Sequence, residues 1–86
     1  MLKIFFLPKF IKQFNTLENF LQDEVLEKIE LFKDIKSHKQ LKVHKLHGNL
    51  KEQWSFSVNY KFCIVFRYIS KKEVVLLAVG DHEIYK

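Results

Sequence analysis

The chain has 86 residues, a net charge of +5, an apolar content of 48% and an aromatic content of 15%. Its length predicts one small domain over residues 1–86, and its composition excludes a disordered chain. The single cysteine, Cys63, excludes an internal disulfide and is typical of a reducing compartment. No apolar run is long enough for a membrane span or a signal peptide, so we expect a soluble cytoplasmic protein.

The first half of the chain predicts a strand followed by two helices. Residues 2–7, "LKIFFL", are apolar and β-prone, which predicts a buried strand, and Pro8 stands where a helix can begin. Asp23 is a predicted N-cap for the second helix, whose apolar face continues to Ile35. We therefore place the break between the helices at 21–23. The first helix carries one apolar stripe: Phe10, Phe14, Leu17 and Leu21.

The second half predicts a loop and then strands in succession. After Lys36 the periodicity fades into a loop and a short strand that stops at Gly48. From Trp54 to Tyr60 apolar residues alternate with Ser and Asn, which predicts a strand with one packed and one wet face. The stretches "FCIVFRYI" and "EVVLLAV" are apolar on both faces, as buried strands are. The predicted class is α+β, β-α-α-β-β-β(-β), with a mostly antiparallel sheet and two helices packed on one face.

A basic window spans 36–51. It holds five lysines, three histidines and no acidic residue, and so carries a charge equal to the net charge of the chain. Such a patch suits a polyanion such as nucleic acid, and a solvated loop face is the alternative. The four histidines, at 38, 44, 47 and 82, match no compact zinc-ligand spacing, so we expect no metal.

Ionisable and aromatic residues are concentrated near the C-terminus, in "VVLLAVGDHEIYK". His82 follows a buried strand and a glycine, which predicts a histidine at a sheet edge, able to exchange protons near neutral pH. An ordinary surface histidine is the alternative. Cleavage of RNA through its own 2′-hydroxyl needs a proton acceptor, a proton donor and a cation, and His44 stands among Lys42 and Lys45. Tyr85 suits stacking on a base or packing on the sheet.

These stretches line up with a known family. "HKLHGNLKEQWSFSVNYKFCIVFRY" followed by "VVLLAVGDHEIYK" resembles the RelE/ParE superfamily of toxins from type II toxin–antitoxin pairs, and "LKIFFLPKFIKQF" is similar to its first strand and helix. The resemblance is closest to the RelE-, YafQ- and YoeB-like mRNA interferases. It implies a RelE-like fold and an endoribonuclease that cuts messenger RNA on the ribosome without metal or cofactor. It also implies a cognate antitoxin as partner.

The resemblance further implies residue roles. His82 falls where the YafQ-like branch has its catalytic histidine, and His44 where that branch has another functional histidine. Lys45 matches a lysine used in RelE, and Tyr85 matches a terminal aromatic that stacks on a base. The expected catalytic residues are His44 as base, His82 as acid, and Lys45 and Arg67 as phosphate cations. The expected RNA-binding residues are Lys42, His47, Lys51 and Tyr85.

One position departs from the family pattern. Related toxins carry an arginine that contacts phosphate in the central strand, where this chain has Cys63 in "FCIVF". A thiol cannot make the bidentate contact, and Arg67 lies on the same side but about 13 Å further along a strand. The missing arginine keeps two alternatives open. One is a ParE-like toxin that acts on DNA gyrase without catalysis, and the other is a catalytically weakened homologue that still binds antitoxin.

Overall fold

The computed structural model describes residues 1–48 and 52–85, with the backbone alone at Tyr85. The predicted order of elements and the α+β class are confirmed. The elements are β1 (Lys3–Phe6), α1 (Pro8–Asn15), α2 (Asn19–Phe32), β2 (His44–Lys45), β3 (Trp54–Ser57), β4 (Phe62–Ser70) and β5 (Glu73–Asp81). Short 3-10 turns follow α2 at Ile35–Ser37 and β5 at His82–Tyr85, and the latter is here named the C-terminal turn. No helix within the described ranges is long and apolar enough to cross a bilayer.

The five strands form one sheet in the order β1-β5-β4-β3-β2. Only β1 and β5 run parallel, while the other neighbours are antiparallel, as short turns between consecutive strands require. The prediction of a buried first strand is wrong. β1 lies at the sheet edge, and Phe5 and Phe6 are 39% and 45% exposed because an edge strand has a neighbour on one side only.

The helix break lies at residues 16–18 rather than at 21–23, and Asp23 is an exposed residue inside α2 instead of its cap. α1 ends where the Thr16 hydroxyl donates to the Gln13 carbonyl oxygen, 2.7 Å away. Glu18 is extended, with φ −63° and ψ 152°, and precedes α2. The apolar stripe misplaced the break because α1 and α2 both contribute to the same core, so apolar spacing continues across the gap.

Aromatic side chains build the core between the helices and the sheet. Phe32, at the C-terminal end of α2, is fully buried, and its ring stacks on Phe56 with centroids 4.2 Å apart. Phe66 meets the same ring edge-on at 4.7 Å. His38 stacks on its other side at 4.8 Å and donates Nε2–H to the Phe32 carbonyl oxygen at 2.8 Å. His38 therefore takes part in the packing around Phe32.

A bulge in β5 decides which side chains reach each face of the sheet. Val65 in β4 pairs with Ala78. The next pair toward the β4–β5 turn joins Phe66 to Leu76, so Leu77 is an extra residue. Because side chains alternate along a strand, one extra residue exchanges the faces of everything that follows.

The effect of the bulge is visible in the two apolar clusters. Leu76 and Val79 both pack with the helices, although they are an odd number of positions apart. Leu77 and Ala78 both lie on the opposite side of the sheet, here named the open face, where they pack with Val65. Gly80 follows on the open face, and the C-terminal turn is thereby directed across it.

The strand expected at 54–60 is shorter than its pattern indicates, and less of it is exposed to solvent. β3 ends at Ser57, and Tyr60 is 93% exposed in the β3–β4 turn instead of packed. Asn59 organises that turn, since its side-chain oxygen accepts the backbone N–H groups of Lys61 and Phe62. Ser55, expected on a wet face, is 1% exposed because the open face has its own apolar cluster.

Replacing Phe32 by alanine should lower the free energy of unfolding by about 3–5 kcal/mol, because the cavity would remove three ring contacts at once. Chemical denaturation measures the change. Phe20→Ala is the matched control, since Phe20 is 68% exposed on the same helix and should shift stability by less than about 0.5 kcal/mol. Equal losses in the two variants would contradict this core.

Candidate active site

His44 lies on the open face at the outer edge of the sheet. It pairs with Ser55, which in turn pairs with Val65 of β4. Directly opposed residues in antiparallel strands point to the same side, so the His44 side chain shares the face of Val65. Leu46, two residues on, is buried against the open-face cluster, while His44 itself is exposed. His44 and Leu46 therefore point to the same side of the sheet, but only the Leu46 side chain is buried.

A hydrogen bond fixes the proton on the His44 ring. Nδ1 lies 2.9 Å from the carbonyl oxygen of Lys42. A carbonyl oxygen can only accept, so Nδ1 carries the proton and the neutral ring presents the lone pair of Nε2. Lys42 has φ +57°, and this left-handed conformation at the turn aims its carbonyl at the ring. The hydrogen bond thus fixes the orientation of the ring, with Nε2 as the nitrogen turned away from the Lys42 carbonyl.

His82 begins the C-terminal turn, directly after β5, and is exposed. Its Nε2 donates to the carbonyl oxygen of Tyr60 at 3.2 Å, which ties the turn to the β3–β4 connection. The Asp81 carboxylate accepts the backbone N–H of Glu83 at 3.0 Å and so holds the first residues of the turn. The acids beside His82 therefore have at least one structural task, which is to shape the segment that carries it.

The two imidazoles flank the open face without touching each other. β2 and β5 are three inter-strand spacings apart, which is roughly 14 Å. His44 is aligned through Ser55 and Val65 with Ala78, four residues before His82, so the backbones that carry the two histidines are further apart than that. The surface between them is made of small side chains, here named the small-residue strip: Ser55, Ser57, Cys63 and Gly80. Neither histidine is buried, and both border the same strip.

Cys63 occupies the middle of that strip but is only 2% exposed. Burial raises the pKa of its thiol above the usual range, a hydrogen bond with Ser55 works in the opposite direction, and the nearby Asp81 carboxylate raises it further. A neutral, enclosed thiol is a poor nucleophile. Cys63 therefore fills space where a larger cationic side chain would project from the sheet.

The small size of Gly80 is required by the C-terminal turn. A Cβ at position 80 would collide with the Ile84 side chain, which packs directly over the glycine. Ile84 also packs on the open-face cluster. This contact holds the turn down on β4 and β5 and thereby sets the position of His82.

The predicted cations are distributed over both faces. Lys45 pairs with Trp54, whose ring packs with the helix-side core, so Lys45 points away from the face of His44. Lys42 and His47 are exposed near the β2 edge. Lys51 and the side chain of Tyr85 lie outside the described residues, and their predicted roles stay predictions.

Arg67 lies on the open face, opposite Val75 and two residues from Val65. It borders a groove of about 370 Å³ whose other polar lining residues are Lys9 and Gln53. Neither residue could be found from the sequence pattern, because they come from α1 and from the loop before β3 and share no spacing with Arg67. Nowhere in residues 1–48 and 52–85 do three or more His, Cys, Asp or Glu residues gather as they would around a metal ion.

The fold and the matched sequence define a class of protein. Residues 8–82 match the model of a protein family described as the RelE-like toxin of the type II toxin–antitoxin system HigB. The chain therefore belongs to the HigB-like family of RelE-like toxins, and the resemblance to the RelE/ParE superfamily is confirmed. No curated protein sequence matches the chain.

Solved structures with the same fold cover nearly the whole chain. The solution structure of the conserved hypothetical protein HP0894 from Helicobacter pylori is 23% identical, covers 96% of this chain and 97% of its own, and has a TM-score of 0.74. YafQ from Escherichia coli is 12% identical, with coverages of 99% and 98% and a TM-score of 0.73. The toxin–antitoxin complex RelBE from Escherichia coli matches at 16% identity, coverages of 94% and 96%, and a TM-score of 0.72. At these identities the likeness shows the fold.

Gly80→Ala should lower the free energy of unfolding by about 1–3 kcal/mol, because the added methyl overpacks the contact with Ile84. The matched test is a double-mutant cycle in chemical denaturation. Gly80→Ala should cost clearly less in an Ile84→Ala background, where the colliding methyl is gone. An equal cost in both backgrounds would show that Ile84 does not cover Gly80.

Proposed function

We propose that the protein is the toxin of a type II toxin–antitoxin pair and acts as a metal-independent endoribonuclease on messenger RNA at the ribosome. The observation that carries the proposal is the pair of exposed imidazoles on either side of one strip of the open face. Membership of a RelE-like toxin family supports it. Messenger RNA and the ribosome are the proposed partners, and the cytoplasm is the proposed place of action.

The proposed reaction transfers two protons. The lone pair of His44 Nε2 takes the proton of an RNA 2′-hydroxyl, and the 2′-oxygen attacks the adjacent phosphorus. As the new O2′–P bond forms, the P–O5′ bond breaks, and protonated His82 delivers a proton to the departing 5′-oxygen. The products are a 2′,3′-cyclic phosphate and a free 5′-hydroxyl. No metal is needed, because protonated side chains balance the charge on the phosphate.

Positive side chains complete the proposed site. Arg67 supplies positive charge on the open face. Lys45 points to the other side of β2 from His44, so its role as a phosphate cation stays a prediction. Lys42 and His47 would hold the RNA backbone near His44. Lys51 and Tyr85 keep their predicted roles, in binding the RNA and in stacking on a base. Cys63 leaves the centre of the strip without a cation, so we expect slower cleavage than an enzyme with arginine there would show.

The buried Cys63 favours a second candidate, a ParE-like toxin that acts on DNA gyrase and cuts nothing. Expression of the chain alone separates the candidates, with primer extension on cellular messages as the readout. Growth arrest with new message ends supports the nuclease. Growth arrest with broken DNA and intact messages supports a toxin that acts on DNA gyrase. Normal growth supports a catalytically weakened homologue that only binds antitoxin.

The proposed antitoxin site lies away from the open face. A groove of about 250 Å³ between α1 and α2 has a wholly apolar lining: Phe6, Phe10, Ile11, Phe14, Leu26 and Ile29. Ile11 and Leu26 are 46% and 51% exposed there, and an exposed apolar surface of this kind marks a protein-binding site. Toxin–antitoxin complexes with the same fold support an antitoxin as its occupant.

His82→Ala should slow cleavage by about a hundredfold or more, because the departing oxygen loses its proton donor. Primer extension and growth after induced expression measure the effect. Glu27→Gln is the control, since it changes an exposed side chain on α2, and it should leave cleavage unchanged. Full activity of a folded His82→Ala variant would remove this histidine from the mechanism.

Leu26→Asp should weaken neutralisation by the antitoxin, because a carboxylate in an apolar groove loses its hydration on binding. Co-expression of toxin variant and antitoxin, scored by growth, measures the loss. Phe20→Asp is the control, as Phe20 is exposed on α2 outside this groove. If the antitoxin rescues Leu26→Asp cells as well as control cells, it binds elsewhere.

A further inference from the structure

The groove beside Arg67 combines cations with an apolar floor. Its polar lining residues are Lys9, Gln53 and Arg67, and its apolar lining residues are Leu7, Val65, Leu77, Ala78 and Ile84. No carboxylate is among them. At about 370 Å³ the groove falls within the size range of small-molecule and cofactor sites.

A few lysines elsewhere on the surface are engaged by an acidic or aromatic side chain. Lys33 pairs with Glu30, and Lys28 lies 3.9 Å from Glu27. Lys3 lies over the ring of Phe5 at 5.3 Å. In the part of the chain that the structure describes, neither Lys9 nor Arg67 has an ion pair, which is also true of most other lysines. What distinguishes these two cations is that they line one groove without a carboxylate, and such a groove attracts an anion.

The groove continues the small-residue strip. Val65 and Ala78 of its floor lie two positions along their strands from Cys63 and Gly80. Arg67 is four positions from Cys63, or about 13 Å along β4. An RNA strand that crosses the open face between the histidines would therefore reach the groove with a neighbouring nucleotide, at a distance from the phosphate that is cleaved.

The geometry points to a second nucleotide subsite, resting on the proposed function, in which Lys9 and Arg67 hold a phosphate that neighbours the scissile one. The sugar or base of that nucleotide lies on the aliphatic floor formed by Leu77 and Ile84. The Gln53 amide is placed to hydrogen-bond its polar edge. Lys9 thereby becomes a substrate-binding residue contributed by α1, outside the basic window of the sequence.

A binding measurement tests this subsite without relying on catalysis. The probe is a fluorescein-labelled single-stranded RNA of about ten nucleotides with every 2′-hydroxyl methylated, so that it cannot be cut. Fluorescence anisotropy gives its affinity over a range of salt concentrations. Lys9→Ala and Arg67→Ala should each weaken binding about fivefold or more and reduce the slope of log K against log salt by about 0.7, the loss of one phosphate contact.

The controls separate the groove from overall charge. Lys12→Ala removes the same charge from the same helix outside the groove and should stay within about twofold of the unmodified protein. Lys9→Arg keeps a cation in place and should retain the affinity. Equal effects of Lys9→Ala and Lys12→Ala would overturn the subsite.

Primer extension with the same variants distinguishes the two proposals. Cleavage that needs His82 but ignores Lys9 would overturn the subsite and leave the nuclease proposal standing. Weaker probe binding by Lys9→Ala, in a protein that cuts no message, would support the subsite and end the nuclease proposal. If the Lys9→Ala variant binds RNA normally but is no longer neutralised by the antitoxin, the RNA subsite is overturned. The groove would then bind an acidic segment of a protein.

Discussion

The pairing of β4 with β5, and the bulge within it, is the constraint on which the other features depend. β4 is the central strand, and β5 joins it to the parallel edge strand β1. The extra residue at Leu77 exchanges the faces of everything beyond it, so Val79 returns to the core and Gly80 opens toward the other side. Without that shift the C-terminal turn would leave the sheet toward the helices, and His82 would lie on the face opposite His44.

The two faces of the sheet perform separate tasks. The helix side holds the aromatic cluster around Phe32, where most of the large fully buried side chains lie. The open face carries a smaller cluster around Val65 and Leu77, enough to give rigid support to polar groups without covering them. Rigid elements place functional groups more accurately than loops do. In this protein β2 carries His44, and the C-terminal turn, held against β4 and β5, carries His82. The core on the helix side supplies most of the buried apolar packing.

Cys63 changes the electrostatics of the strip rather than its shape. A small neutral side chain at the centre lets the C-terminal turn pack closely over the sheet, with Ile84 against Gly80. The positive charge of the open face then lies further along β4, at Arg67, where Lys9 of α1 joins it. The positive charge of the open face is therefore displaced from its centre, where Cys63 is neutral.

The sequence determined the class of fold, the order of the elements, the central position of β4 and the exposure of His82, because these follow from local periodicity and from residues close in the chain. It misplaced the helix break, since both helices bury one continuous stripe, and it took the edge strand β1 for a buried one. Only the tertiary structure decided which residues share a face. The bulge at Leu77 breaks the alternation on which sequence reasoning relies. Lys9 lines the same groove as Arg67 because α1 follows a strand that pairs with β5.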